Sequence, residues 1–383
     1  MKRAPVRDIL WLFIATRFIL VMVTYFAYIL LTAPKYSSTA VDTVALFSTW
    51  NHWDAANYVR IAHFGYNQLP YDLAFFPLFP LLIAIFAHFF GNWSWSYLLV
   101  GTIISNGALL GALFVIYQLA VDIAGDQAAR RTLLYLCIFP TAFFFFAAYN
   151  VSLFILLTAG AFLAMRRQQW WLAGLLGLLA ALTHSSGALL VIPYIVELWI
   201  SRESVTATRQ NILLRVLPII LIPVGTLLYC IYCWYITANP IAFVTVQSHW
   251  GRHTTWPWQG IVQAFIDLFW YQPFGSFNEA HIILDLSATL GFIALAILGW
   301  RKLRLSYSIW VAILLFYILL SPGVDKTDVL LSNQRFVLEM FPAFITLAML
   351  GLKHPRLHQA FMLVFPTLLA TLSVLFIFNR WMV

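Results

Sequence analysis

The chain has 383 residues, of which 62% are hydrophobic and only 9% charged, with a formal net charge of +8. So few charges exclude a soluble globular domain, whose surface needs a larger ionised shell. The excess of Lys and Arg would suggest nucleic acid in a soluble protein. Here those residues sit in short connections between apolar runs, so they set topology and no nucleic-acid partner is expected.

Apolar runs recur from end to end without the alternation of strands. The fold class is therefore an all-α polytopic membrane protein, because open sheets cannot satisfy their backbone in lipid. The N-terminus MKRAPVRDIL is basic, and the long apolar run after it has no small-residue cleavage site, which predicts a retained first span and not a signal peptide. That span covers about 9–32 and encloses Arg17. Further spans are expected near 97–121, 132–148, 150–165, 170–183, 187–200, 212–236, 281–299, 305–320, 335–351 and 359–378, about 11 in all. Several are short, so broken or half-depth segments are expected around 140–150 and 183–188.

The run 75–90, FFPLFPLLIAIFAHFF, contains Pro77 and Pro80 and is barely long enough to cross. Counting it as a span would put Arg130 and Arg131 on the same side as Asp54. It reads better as a helix in the outer interface. With that choice Arg7, Arg130, Arg131, Arg166, Arg167, Arg215, Arg301, Lys302 and Arg304 fall inside. The result is one integral membrane domain over 1–383, with outer loops at about 33–96, 237–280 and 321–334. Acidic residues follow the outer loops, among them Asp54, Asp72, Asp285, Asp325 and Asp328. Cys137, Cys230 and Cys233 lie within apolar runs and read as packing residues, the last two despite their C-x-x-C spacing.

The first outer loop contains NHWDAANYVRIAHFGY. Asp54, Tyr58 and Ile61 share one helical face. Trp50, Trp53 and Tyr58 suit an interfacial helix anchored at headgroup level. An acid directly after Trp53 on such a segment is not explained by anchoring. A carboxylate there suits a general base that deprotonates an acceptor hydroxyl at the membrane surface.

WDAANYVRIAHFGY followed by LAFFPLFPLL resembles the PIG-V mannosyltransferases and their prokaryotic relatives. So do AAYNVSLFILLTAGAFLAMRR, NPIAFVTVQSHWGRHTTWPW and SNQRFVLEMFPAFITLA, in the same order along most of the chain. The resemblance implies a GT-C membrane glycosyltransferase with its catalytic Asp in the first outer loop, here Asp54. It implies transfer of a sugar, mannose in the family, from a polyprenyl-phosphate donor to a glycolipid or glycan acceptor, with inversion. Asn57, Val151 and His184 depart from the family pattern. Val151 replaces a commonly acidic residue and His184 a commonly basic one.

Arg252 and Arg335 each lie in a family-like motif of a later outer segment. Arg suits a donor phosphate through its planar fork of donors, although snorkelling toward headgroups accounts for such residues equally. Trp53, Asn57, Tyr58, Gln247, His249, Trp250 and Asn333 complete the candidate substrate-binding set. No cofactor is required. A metal would need Asp325 and Asp328 to meet Asp54, which the sequence does not support. His184, Ser185 and Ser186 suggest a nucleophile with its base, but no acid is evident to orient the histidine. A lipid or solute transporter and a non-catalytic family member remain as alternatives. A prokaryotic plasma membrane is the expected location, or the endoplasmic reticulum in a eukaryote.

Overall fold

The computed structural model describes residues 5–33, 40, 42–91, 93–201, 209–323 and 329–380. Helices α1 (Val6–Thr32), α2 (Thr43–Ser48), α3 (Asp54–Phe64), α4 (Leu78–His88) and α5 (Ser94–Ile138) come first. They are followed by α6 (Val151–Arg166), α7 (Trp170–Thr183), α8 (Val191–Ser201), α9 (Arg209–Val216) and α10 (Leu221–Thr237). The last are α11 (Ala242–Thr245), α12 (Gln259–Ile266), α13 (Phe277–Gly299), α14 (Leu305–Leu319), α15 (Asn333–Phe336), α16 (Phe341–Lys353) and α17 (Pro355–Ile377). Among the described residues the only extended pairing is an isolated bridge between Arg252 and Gly323.

Among the described residues five helices are long and apolar enough to cross a membrane, and a sixth span is available if Asn333–Glu339 and Phe341–Lys353, bent by 89°, count as one. Shorter apolar helices include Leu78–His88, the run read as interfacial. Two of the expected spans, 97–121 and 132–148, join in α5. Its 45 residues would run about 68 Å if straight, twice the hydrocarbon core. Gly125, at φ 81° and ψ 175°, divides them.

The second arm ends at Ile138, ten residues before its expected end at 148. Pro140 is the cause, since it disfavours helical backbone in the residue before it, and Phe139 is extended at φ −54°, ψ 145°. The broken segments expected near 140–150 and 183–188 are 3₁₀ turns at Ala142–Phe145 and Ser185–Leu190.

The described residues divide into two compact units, one within 5–68, 77–156 and 348–380, the other within 69–76 and 157–347. In the first, α1 packs on α5 and α17, and α3 packs on α4 and α5. Trp50, Phe79, Ile83, Leu113, Ile116 and Phe143 are buried in its core. Arg130 pairs with Asp8 and with Asp126 one turn before it. Arg17 is buried in α1 with its guanidinium 5.8 Å from the Phe13 ring centroid.

In the second unit α7 packs on α10, α8 on α14, and α13 on both α14 and α15. Phe162 meets Tyr307 edge-on at 5.0 Å and Phe341 at 5.7 Å. Buried Glu197 accepts two hydrogen bonds from Arg304, at 2.6 and 2.7 Å. Such a fork-to-carboxylate pair compensates the cost of burying the acid. Arg215 donates to the Gln168 amide at 2.8 Å, and its carbonyl accepts from the Tyr194 hydroxyl at 2.9 Å.

Candidate active site

Asp54 is the first residue of α3, and its side chain is half-buried. The residue before it, Trp53, has φ 55° and ψ −127°, a conformation that normally belongs to glycine. Helix α3 starts directly after it, at the acid. The Asp54 amide donates to the hydroxyl of Tyr149 at 3.2 Å. Ala55 and Asn57 donate to the carbonyls of His52 and Trp53 at 3.1 and 3.2 Å. A carboxylate in the first turn also meets the positive end of the helix dipole favourably.

Tyr149 belongs to the non-helical stretch between α5 and α6. Its carbonyl accepts from the Ser105 hydroxyl at 2.6 Å. The Asn106 amide donates to the Phe146 carbonyl at 3.0 Å and to that of Thr102 at 2.8 Å. Two polar side chains of α5 thus satisfy carbonyls that the broken helix leaves open. Around them, Trp50 packs on Phe146 at 4.7 Å and on Phe376 at 5.5 Å, and Tyr149 on Phe144 at 4.7 Å.

The other candidates of this loop lie on α3. Tyr58 is buried with its ring edge-on to Phe79 at 5.0 Å. The Asn57 carbonyl oxygen accepts from Arg60 at 2.8 Å. His52, just outside the helix, has its pKa lowered by burial, against which a hydrogen bond to the Ile377 backbone acts.

The second unit gathers the candidate cations. Arg335 lies in α15, and its guanidinium stands 4.8 Å from the centroid of Phe336. Arg252 approaches the same ring at 5.4 Å. Two Arg252 nitrogens donate to the carbonyls of Ser321 and Leu331, at 3.1 and 2.8 Å. Arg252 therefore also holds Ser321 and Leu331, on the approach to Arg335. Gly251, at φ 67°, ends the 3₁₀ turn Val246–Trp250 and turns the chain into Arg252.

That turn carries Gln247, His249 and Trp250. His249 stacks on Tyr71 at 4.3 Å, and Trp250 meets Tyr71 at 5.4 Å and Phe75 at 6.2 Å, edge-on to both. The Gln247 amide donates to the Phe243 carbonyl at 3.4 Å. The Tyr229 hydroxyl in turn donates to the carbonyls of Leu73 and Phe75, at 2.7 and 3.1 Å. The aromatic candidates thus form a packed shelf on the 69–76 segment.

Asn333 is buried and donates to Thr289 at 3.0 Å. Leu331 and Ser332 before it have φ of 37° and 69°, so this helical turn, like α3, follows strained backbone. Buried Asp285 accepts from the Gln334 amide at 2.8 Å, directly before Arg335.

His184 has an acid beside it after all. Its Nδ1 lies 2.7 Å from the Ser186 hydroxyl and 3.8 Å from a carboxylate oxygen of buried Glu339. Hydroxyl and acid approach the same ring nitrogen, so this is no serine–histidine–acid relay, in which they flank opposite nitrogens. Glu339 escaped notice in the sequence because it lies 155 residues away. Tyr149 escaped for the same reason, although AAYNVSLF contains it, and Asp285 was legible only as one of the outer-loop acids. Among the described residues no three His, Cys, Asp or Glu side chains gather as a metal site. Asp325 and Asp328 lie outside the described residues.

A family model described as Mannosyltransferase (PIG-V) matches residues 6–258, well over half of the chain. GPI alpha-1,6-mannosyltransferase 2 of Rattus norvegicus is 32% identical over 160 residues, which cover 39% of this chain and 32% of that protein. The match therefore spans about a third of the curated relative's length. Among solved structures, ArnT from Cupriavidus metallidurans bound to undecaprenyl phosphate superposes with a TM-score of 0.52 at 15% identity, covering 84% of this chain and 60% of that one. Apo ArnT gives 0.51 at 14% identity, covering 92% and 61%. At such identities the likeness is one of fold alone, while the long apolar helices and the family match make the chain an integral membrane protein. By the family match over 6–258, it belongs to the PIG-V mannosyltransferase family.

Proposed function

We propose that the protein transfers a sugar, mannose by the family's description, from a polyprenyl-phosphate donor to a hydroxyl of a glycolipid or glycan acceptor, with inversion. The observation that carries this reading is the family match, whose span includes both Asp54 and Arg252. The solved relative that binds undecaprenyl phosphate supports a lipid-phosphate donor. The topology supports a site on the outer face of a plasma membrane, since the short basic connections mark the inner side.

In the proposed transfer, Asp54 accepts the proton of the acceptor hydroxyl as that oxygen bonds to the anomeric carbon. The bond from that carbon to the phosphate oxygen breaks, and polyprenyl phosphate leaves with the bonding pair. Arg335 holds the negative charge that grows on the leaving phosphate, and Arg252 adds its charge. Trp53 and Asn57, at the start of α3, and His249 and Trp250, on the aromatic shelf, supply the remaining contacts to substrate.

The test is purified protein in lipid with polyprenyl-phosphate mannose, following release of polyprenyl phosphate by wild type and Asp54→Asn. Turnover by wild type alone is the expected result. Full turnover by the variant would remove Asp54 from the chemistry.

A further inference from the structure

We infer that Tyr149 is the positioning residue of the base: its hydroxyl clamps the first amide of α3 and so fixes where Asp54 points, an inference that rests on the role proposed for Asp54. Four observations meet here. The Asp54 amide donates to Tyr149 Oη at 3.2 Å across 95 residues of sequence. Tyr149 is fully buried, with its ring against Phe144 at 4.7 Å, so the hydroxyl cannot swing away. The Tyr149 carbonyl is held from the other side by Ser105 at 2.6 Å, itself buried.

The fourth is the backbone just before the acid. Trp53, at φ 55°, occupies a conformation that costs a side-chain-bearing residue of order 1–3 kcal/mol and persists only when the surroundings impose it. An unclamped chain would relax at Trp53 and turn the first helical residue with it. The hydrogen bond to Tyr149 is a tertiary contact of that amide, and it comes from the break that Pro140 opens in the helix. The broken helix therefore has a purpose: it brings a hydroxyl to the start of α3 while its own carbonyls are satisfied by Ser105 and Asn106.

Tyr149→Phe tests this because it keeps the ring and its packing and removes only the hydroxyl. With polyprenyl-phosphate mannose as donor, kcat is expected to fall about ten-fold or more, with the donor KM within about two-fold of wild type, as suits a displaced base. Hydrogen exchange of the Asp54 amide is expected to quicken in the same variant, while exchange in the helices distant from α3 stays as it was. An unchanged kcat in the presence of an active wild type overturns the inference. If Tyr149→Phe does not yield folded protein, Ser105→Ala takes its place, and the same fall in kcat at constant KM is expected, smaller in size; no change overturns it. If wild type shows no turnover with this donor, the functional reading has failed and the exchange measurement alone decides the clamp, with unchanged exchange at Asp54 counting against it.

Discussion

Two helix starts in different units solve one backbone problem with different chemistry. Helix α3 begins at Asp54 after Trp53 at φ 55°, and α15 begins at Asn333 after Ser332 at φ 69°. In each, a side chain distant in sequence accepts an amide proton at the new helix start: the Tyr149 hydroxyl for Asp54, the Asp285 carboxylate for Gln334. The difference follows the charge each helix bears. A carboxylate in place of Tyr149 would set a second negative charge beside Asp54, whereas a phenol satisfies the amide and adds none. Beside Arg335 a buried carboxylate is tolerated, because like charge is absent and a charged acceptor makes the stronger hydrogen bond. The lesson is that the sign of the functional residue constrains the type of group that holds its backbone.

That comparison breaks in stages. Asp54→Asn has the largest expected effect, a loss of about 10²–10⁴-fold in transfer rate with the fold retained, read from donor consumption and thermal melting in detergent. An active Asn variant would leave the first helix start without a chemical role. Arg335→Ala comes next, with a loss of about 10²–10³-fold in kcat/KM for the donor. Arg335→Lys should recover only part of it, since lysine keeps the charge and loses the planar fork.

Asp285→Ala sharpens the contrast between the clamps. It leaves the Gln334 amide buried without this acceptor, and the melting free energy should drop by about 1–3 kcal/mol. Asp285→Asn, whose amide oxygen still accepts, should lose less. Equal losses from the two would mean that charge, and not acceptance, is what α15 needs.

The smallest effect concerns His52, next to the first helix start. Burial lowers its pKa in the folded chain, so the unfolded chain takes up the proton at higher pH. Its contribution to stability is present above the ordinary histidine value and is lost as pH falls through the lowered one. Melting curves between pH 7 and pH 5 should show wild type losing stability with acid, and His52→Gln should flatten that slope. An identical slope in both would assign the acid sensitivity elsewhere.

Much of this molecule is written in short-range features that the sequence alone determines. Hydropathy marks the helices, since each apolar run must bury its own backbone in lipid whatever its neighbours are. The short span near 170–183 sufficed to expect a broken segment after Thr183, and the run 75–90 to expect a helix there, found at Leu78–His88. Asp54 stood out because an acid between tryptophan and alanine on a greasy segment has no cheap structural explanation. Even the early end of α5 was legible in principle, as Pro140 is enough to stop it at Ile138.

What tertiary structure alone decided is who satisfies whom. Nothing local to Trp53 or Asp54 signals that the acceptor is Tyr149, and nothing near His184 points to Glu339. Arg252 read as a cation for phosphate, and only the fold shows that two of its nitrogens also donate to the carbonyls of Ser321 and Leu331. Likewise, nothing local to Tyr58 signals that its ring meets Phe79 edge-on. A run of residues carries its own solvation preference, but a hydrogen bond needs a partner within about 3 Å, and which residues come that close is set by how the helices pack.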